Sequence, residues 1–141
     1  MSNQLFGFFV FAFLGVGMEI IFTSGKRFIH NVLLGKKIDW ALLGYSPAWM
    51  ILIYGSSIFL FPPVYGRVGE YPLFTRALVY GIVILIIEFA SGYVIKLLTG
   101  KIPWHYRSRW AIGGFVRLDY LPFWMVAGLI IEFVYTNVIL R

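Results

Sequence analysis

Long apolar runs interrupted by single glutamates constrain this chain more than any other feature. Glu19, Glu88 and Glu132 lie inside VFAFLGVGMEIIF, ALVYGIVILIIEFASGYVI and FWMVAGLIIEFVYTNVIL, where a carboxylate has no water to hold it. Near the middle of a membrane span a carboxylate costs about 2.5–3.5 kcal/mol on insertion scales, and such side chains face the interior of a bundle. The chain is 60% hydrophobic and 13% charged, too apolar to hide its surface in one aqueous core. Four spans follow, at about 5–22, 47–61, 73–98 and 121–140. The expected fold class is therefore all-α: a polytopic membrane helical bundle forming one domain over residues 1–141. Met1 to Gln4 carries no Lys or Arg, so the first run is read as a mature helix and not as a cleaved signal. The second span is expected to start at Ser46-Pro47 and to stop at Pro62-Pro63, which leaves it short for a bilayer.

Charge orients the bundle. Nine of the twelve Lys and Arg residues fall in two connections, Lys26 to Lys37 and Lys96 to Arg117, while Arg67, Arg76 and Arg141 belong to the other side. The positive-inside rule makes both basic connections cytoplasmic and puts both termini on the non-cytoplasmic side, in the plasma membrane. All five tryptophans share the basic side, an arrangement that suits a layer of anionic lipid headgroups and not nucleic acid. The segment Phe28 to Leu34 reads as a short interfacial piece before Lys36-Lys37-Ile38-Asp39-Trp40.

Spacing turns the acids into candidate sites. Gly15, Glu19 and Thr23 repeat at one-turn intervals, as do Gly128, Glu132 and Thr136, and Glu88 is followed by Ser91 and Gly92. Small residues allow close helix approach, and the hydroxyls could bond the carboxyls, so these stripes are expected to be helix–helix seams. If the seams share one axis, the three carboxyls form a cluster that must take up protons or cations. Lys96, Arg117 and His30 are the expected alternative partners. Leu-Ile-Ile-Glu-Phe occurs at both 85–89 and 129–133, which is either chance or the trace of an inverted repeat. Trp104, His105, Tyr106, Arg107, Arg109, Arg117 and Asp119 form a basic, aromatic stretch suited to lipid headgroups or to a cytoplasmic partner. With no cysteine and two isolated histidines, no zinc or other metal centre and no cofactor is expected. The chain has no phosphate-binding loop, nucleophile elbow or metalloprotease motif, so ATPase, protease and zinc-hydrolase activities are not expected of it alone.

The first span carries Gly15-x-x-x-Glu19-x-x-Phe22-Thr23. Together with Leu52-Ile53-Tyr54-Gly55-Ser56-Ser57, Ile87-Glu88-Phe89 before Ser91-Gly92, Pro103-Trp104-x-Tyr106, and Gly114, Leu118, Asp119, Tyr120, Trp124 and Glu132, it resembles the small multi-pass proteins grouped as type IV ABC-transporter (CmpB-like) proteins. That family includes short vertebrate transmembrane relatives. The resemblance implies a multi-pass helical protein with a permease-like role, a possible ATP-hydrolysing cytoplasmic subunit, and functional positions at Glu19, Glu88, Trp104, Tyr106 and Glu132. The chain departs from the family's Pro-Trp-Asp-Tyr-Ser pattern, with His105 in place of the acid and Arg107 in place of the serine. The leading expectation is a transport-associated protein, able to form a homo-oligomer, whose glutamates bind a proton or cation. The alternatives are a lipid-modifying enzyme and an assembly subunit of a membrane complex.

Overall fold

The computed structural model describes residues 3–37, 40–41 and 43–141. Ile38 and Asp39 of the first basic connection lie outside the described residues. Helices α1 (Asn3–Leu33), α2 (Met50–Val68), α3 (Leu73–Thr99) and α4 (Leu121–Val134) follow in order, with strands β1 (Ala111–Ile112) and β2 (Val116–Arg117) between α3 and α4. A 3-10 turn at Leu118–Tyr120 leads into α4, and a π turn at Tyr135–Ile139 ends it. All four helical segments, the last taken as Leu118–Ile139, are long and apolar enough to cross a membrane. Little of their apolar surface is covered by protein. Phe13 and Ile21 are each 72% exposed and Leu98 is 80% exposed, the outward-facing apolar surface that a multi-pass membrane protein presents to lipid.

Several boundaries differ from the sequence expectation. With no proline before Gly35, α1 runs without a break through Phe28 to Leu33, so the expected separate interfacial segment is the last turns of that helix. At about 1.5 Å per residue its 31 residues extend some 46 Å, well beyond a hydrocarbon core of about 30 Å. It stops where Gly35 takes a positive φ of 62° and the Lys36 N–H donates back to the Asn31 carbonyl at 3.0 Å. Ser46 does not cap α2, because its hydroxyl is committed to Glu19; regular helix begins at Met50, after a turn at Ala48 and Trp49. Pro62 and Pro63 do not end α2. Each removes one backbone donor, but both fit a helical φ, and the helix continues to Val68.

The chain divides into two compact units, Met1–Phe61 and Pro62–Arg141, each with its own packing. In the first unit, Gly7, Phe11 and Gly15 form a buried stripe on α1 with one-turn spacing, which continues to Glu19 and Thr23. Gly15 lies against the Tyr54 ring, and Phe11 meets Phe61 edge-on at 6.1 Å. A Cβ at Gly15 would overlap that ring, so the absence of a side chain sets the distance between α1 and α2.

In the second unit α3 and α4 run antiparallel in a register that contacts define. Arg76 faces Glu132, Tyr80 faces Gly128, and Gly81 faces Met125. Ala77, Gly81, Leu85 and Gly92 make the buried stripe of α3. At the far end of the pair, the 101–117 segment folds back over α3 as a small cap. Phe115 packs edge-on against Phe89 at 5.5 Å and Tyr93 at 6.1 Å, while the Trp104 and Phe115 rings occupy the space above Gly92. The hairpin turn requires glycine, since Gly113 and Gly114 hold φ values of 59° and 79°.

Candidate functional site

Each intramembrane-type glutamate is met by a tyrosine from a neighbouring segment. On α1, Glu19 Oε2 accepts a hydrogen bond from Ser46 Oγ at 2.6 Å and one from the Tyr54 hydroxyl at 3.3 Å. The segment carrying Ser46 is held in place by Thr23, whose hydroxyl accepts from the Tyr45 N–H at 3.2 Å. On α4, Glu132 Oε2 accepts from Arg76 Nε at 3.1 Å, and the Tyr80 hydroxyl lies near the same carboxylate. Arg76 also donates to the Gly69 and Tyr71 carbonyls, so the cation that neutralises Glu132 also fastens the connection between α2 and α3. On α3, Glu88 Oε1 accepts from the Tyr106 hydroxyl at 2.7 Å.

Around Glu88 the cap is the structure that matters. The Trp104 indole N–H donates to the Phe115 carbonyl at 2.6 Å, and the Tyr106 N–H donates to the Gly114 carbonyl at 3.1 Å. These two bonds hold the 101–106 segment against the hairpin and aim the Tyr106 ring at α3. That ring meets Tyr120 edge-on at 5.7 Å. Arg117 lies over the Tyr120 ring at 4.3 Å, donates to its hydroxyl at 3.0 Å, and pairs with both oxygens of Asp119. The Asp119 carboxylate raises the Arg117 pKa above its ordinary value, so this guanidinium stays charged. The result is a connected polar cluster: Glu88, Tyr106, Tyr120, Arg117 and Asp119.

No family model matches the chain, and no solved structure matches it. The geometry must therefore carry the reading. Glu88 and Glu132 do not meet. Their partners Tyr106 and Arg76 stand at opposite ends of the α3/α4 pair, and Glu88 and Arg76 are twelve residues apart on α3, about 18 Å along the axis. The expected sharing of one site by these two acids is corrected by the antiparallel register, which also brings Glu132 to within about one turn of where α3 begins and not to mid-span. Among the described residues, no group of three His, Asp or Glu side chains could hold a metal ion.

The expected helper residues also act differently. The hydroxyls of Thr23, Ser91 and Thr136 donate to the backbone carbonyls of Glu19, Glu88 and Glu132, not to the carboxyls, because the one-turn spacing that aligns them also brings the carbonyl nearer. Gly15, Gly92 and Gly128 do mark close approaches, to Tyr54, to Trp104 and Phe115, and to Tyr80. Lys96 lies over the Phe115 ring at 5.6 Å, and neither it nor Arg117 is the partner of an intramembrane acid. His105 is exposed and lies against Gly114, while its neighbour Tyr106 bonds Glu88. Arg107 and Arg109 are exposed. Sequence reasoning missed Arg76, Tyr80, Ser46 and the role of Tyr54. The available signal was a tyrosine directly before glycine inside an apolar run, at Tyr54-Gly55 and Tyr80-Gly81, since a hydroxyl there needs a polar partner.

Proposed function

We propose that the protein is a transport-associated, multi-pass membrane subunit in which Glu88 is the proton- or cation-responsive group and the cap is what responds. The reading places both termini outside the plasma membrane and the basic connections, with the cap, at its cytoplasmic face. The observation that carries it is the Tyr106–Glu88 hydrogen bond, which ties a loop beyond the end of α3 to a carboxyl three turns inside it. A proton or cation arriving at Glu88 neutralises the carboxylate that accepts from the Tyr106 hydroxyl, and a hydrogen bond to a neutral acceptor is weaker. Occupancy of the acid is thereby converted into weaker attachment of the cap, a change that a cytoplasmic ATP-hydrolysing subunit could read. The sequence resemblance to type IV ABC-transporter proteins agrees with such a partner. Glu132 is assigned a holding role instead, since Arg76 already neutralises it.

The test is ion or proton flux in liposomes containing the full chain with its co-purifying partners. Glu88→Gln is expected to abolish the ion dependence, while Glu132→Gln lowers stability without changing that dependence. Flux indifferent to Glu88→Gln sinks the proposal.

A second reading, an assembly subunit whose acids only fix packing, is favoured by the protein donors already seated on every one of the three carboxyls. Under it, Glu88→Gln changes partner recovery and leaves flux untouched. The lipid-modifying alternative is less well supported, because Arg117 is taken up by Asp119 and Tyr120 and is not open to a headgroup.

A further inference from the structure

The cap has two faces of different chemistry. Its inner face, with Trp104, Tyr106, Phe115 and Val116, is spent on α3 and on the polar cluster. The outer face carries Lys101, Arg107 and Arg109 together with Trp110 and Ile112, the last two 49% and 47% exposed. From Leu97 to Leu118 the chain contains no acid, and the nearest, Asp119, is occupied by Arg117. These outer cations therefore have no anionic counterpart within their own segment.

Local geometry fixes where this face lies. The Ala111 N–H donates to the Ser108 carbonyl at 3.0 Å and the Trp110 N–H to Ser108 Oγ at 3.2 Å, a tight turn that sets Arg109 beside Trp110. The Arg109 guanidinium stands 5.4 Å from the centre of the Trp110 ring. The Trp110 carbonyl accepts from the Leu118 N–H at 3.0 Å, so Trp110 is stapled to the residue at which the last apolar span begins. An indole and a guanidinium held level with the end of a span, next to an exposed isoleucine, match the headgroup layer of a bilayer, where aromatic rings sit among phosphates.

We propose that this outer face of the cap is a docking surface for anionic phospholipid, with Arg107 and Arg109 on the headgroup phosphates and Trp110 and Ile112 at the acyl boundary. The proposal rests on the membrane-inserted reading above, but not on transport. It leaves out Arg117, which the sequence alone would have included. Charge complementarity selects the occupant: a run of cations with no acid, at a span end, favours an anionic bilayer surface over a neutral one by about fivefold per cation, or roughly 25-fold for two.

The experiment is native mass spectrometry of the full chain released from detergent containing equal phosphatidylglycerol and phosphatidylcholine. The wild type is expected to retain phosphatidylglycerol preferentially, and Arg107→Gln/Arg109→Gln to lose most of that preference. Arg67→Gln, whose guanidinium lies at the end of α2, should keep it. Because a disturbed cap could mimic this loss, the preference of the wild type itself is measured as salt is raised and should fall steeply. Equal retention of the two lipids by the wild type overturns the proposal and points to an aqueous acidic partner for these cations. Selectivity that survives the double substitution also overturns it, as does displacement of the lipid by free glycerol phosphate at comparable concentration. None of these readouts depends on flux, so failure of the transport reading and failure of this one are separable.

Discussion

Replacing Tyr106 by phenylalanine removes one oxygen and tests the bond on which the functional reading depends. The ring keeps its edge-on contact with Tyr120, and the Tyr106 N–H keeps its bond to Gly114, so only the hydroxyl donated to Glu88 at 2.7 Å is lost. A hydrogen bond to a charged acceptor contributes about 1.5–3 kcal/mol net, and one to a neutral acceptor about 0.5–1.5 kcal/mol. Opening of the cap should therefore become about 10- to 150-fold more frequent if Glu88 is ionised, and about 2- to 13-fold if it is protonated. Hydrogen exchange measured by mass spectrometry in nanodiscs reads this, because the cap amides, Tyr106 and Leu118 with their partners inside the cap among them, lose the cover of α3 when the cap lifts. Peptides covering 101–118 should accelerate by that factor, and peptides from α1 should not. Glu88→Gln keeps an acceptor oxygen and should give a smaller acceleration, and Tyr106→Phe added to it should contribute only the weaker neutral-bond increment. Unchanged exchange in the cap, or an equal rise along α1, would refute the idea that this bond latches the loop.

Three further outcomes follow from the packing. Arg76→Leu leaves Glu132 without its cation and should cost about 3 kcal/mol in a denaturant titration in mild detergent, whereas Arg76→Leu combined with Glu132→Leu should recover most of it; strict additivity would contradict a true pair. Gly15→Ala drives a methyl into the Tyr54 ring and should destabilise by about 1–3 kcal/mol, while Gly17→Ala, with nothing within 4 Å of its Cβ, should stabilise by up to about 1 kcal/mol; thermal unfolding that ranks them the other way removes the close approach. Gly114→Ala forces a side chain onto a φ of 79° and against His105, costing about 1–2 kcal/mol locally, and should loosen the same cap peptides in hydrogen exchange without moving the helices.

Apolar run length was enough to locate four long helices, because lipid-facing surface needs no partner and so leaves a continuous signal. The ends were not legible for local reasons: Ser46 is spent on a distant carboxyl and cannot cap, and two adjacent prolines can sit inside a helix whose φ they already satisfy. The acids were legible as anomalies, but their partners were not. Tyr54, Tyr80, Tyr106 and Arg76 lie 18 to 56 residues from the glutamates they meet, distances along the chain that only the antiparallel register and the fold of the cap convert into contact. Arg76 was visible as a cation one turn inside an apolar run, yet assigning it to the outer surface by counting loop charges hid its role.

The antiparallel pair of α3 and α4 is riveted at both extremities, by Arg76 with Glu132 at one and by the Tyr106 latch at the other. Sliding one helix lengthwise past its neighbour would shear the ion pair and drag the cap along through its continuous chain into Leu118. Prising apart the capped extremity breaks the tyrosine bond and the packing of Phe115 on Phe89 and Tyr93, and leaves the ion pair as a pivot. A scissoring about Arg76, with its free blade at Glu88, is the motion that keeps the ion pair intact.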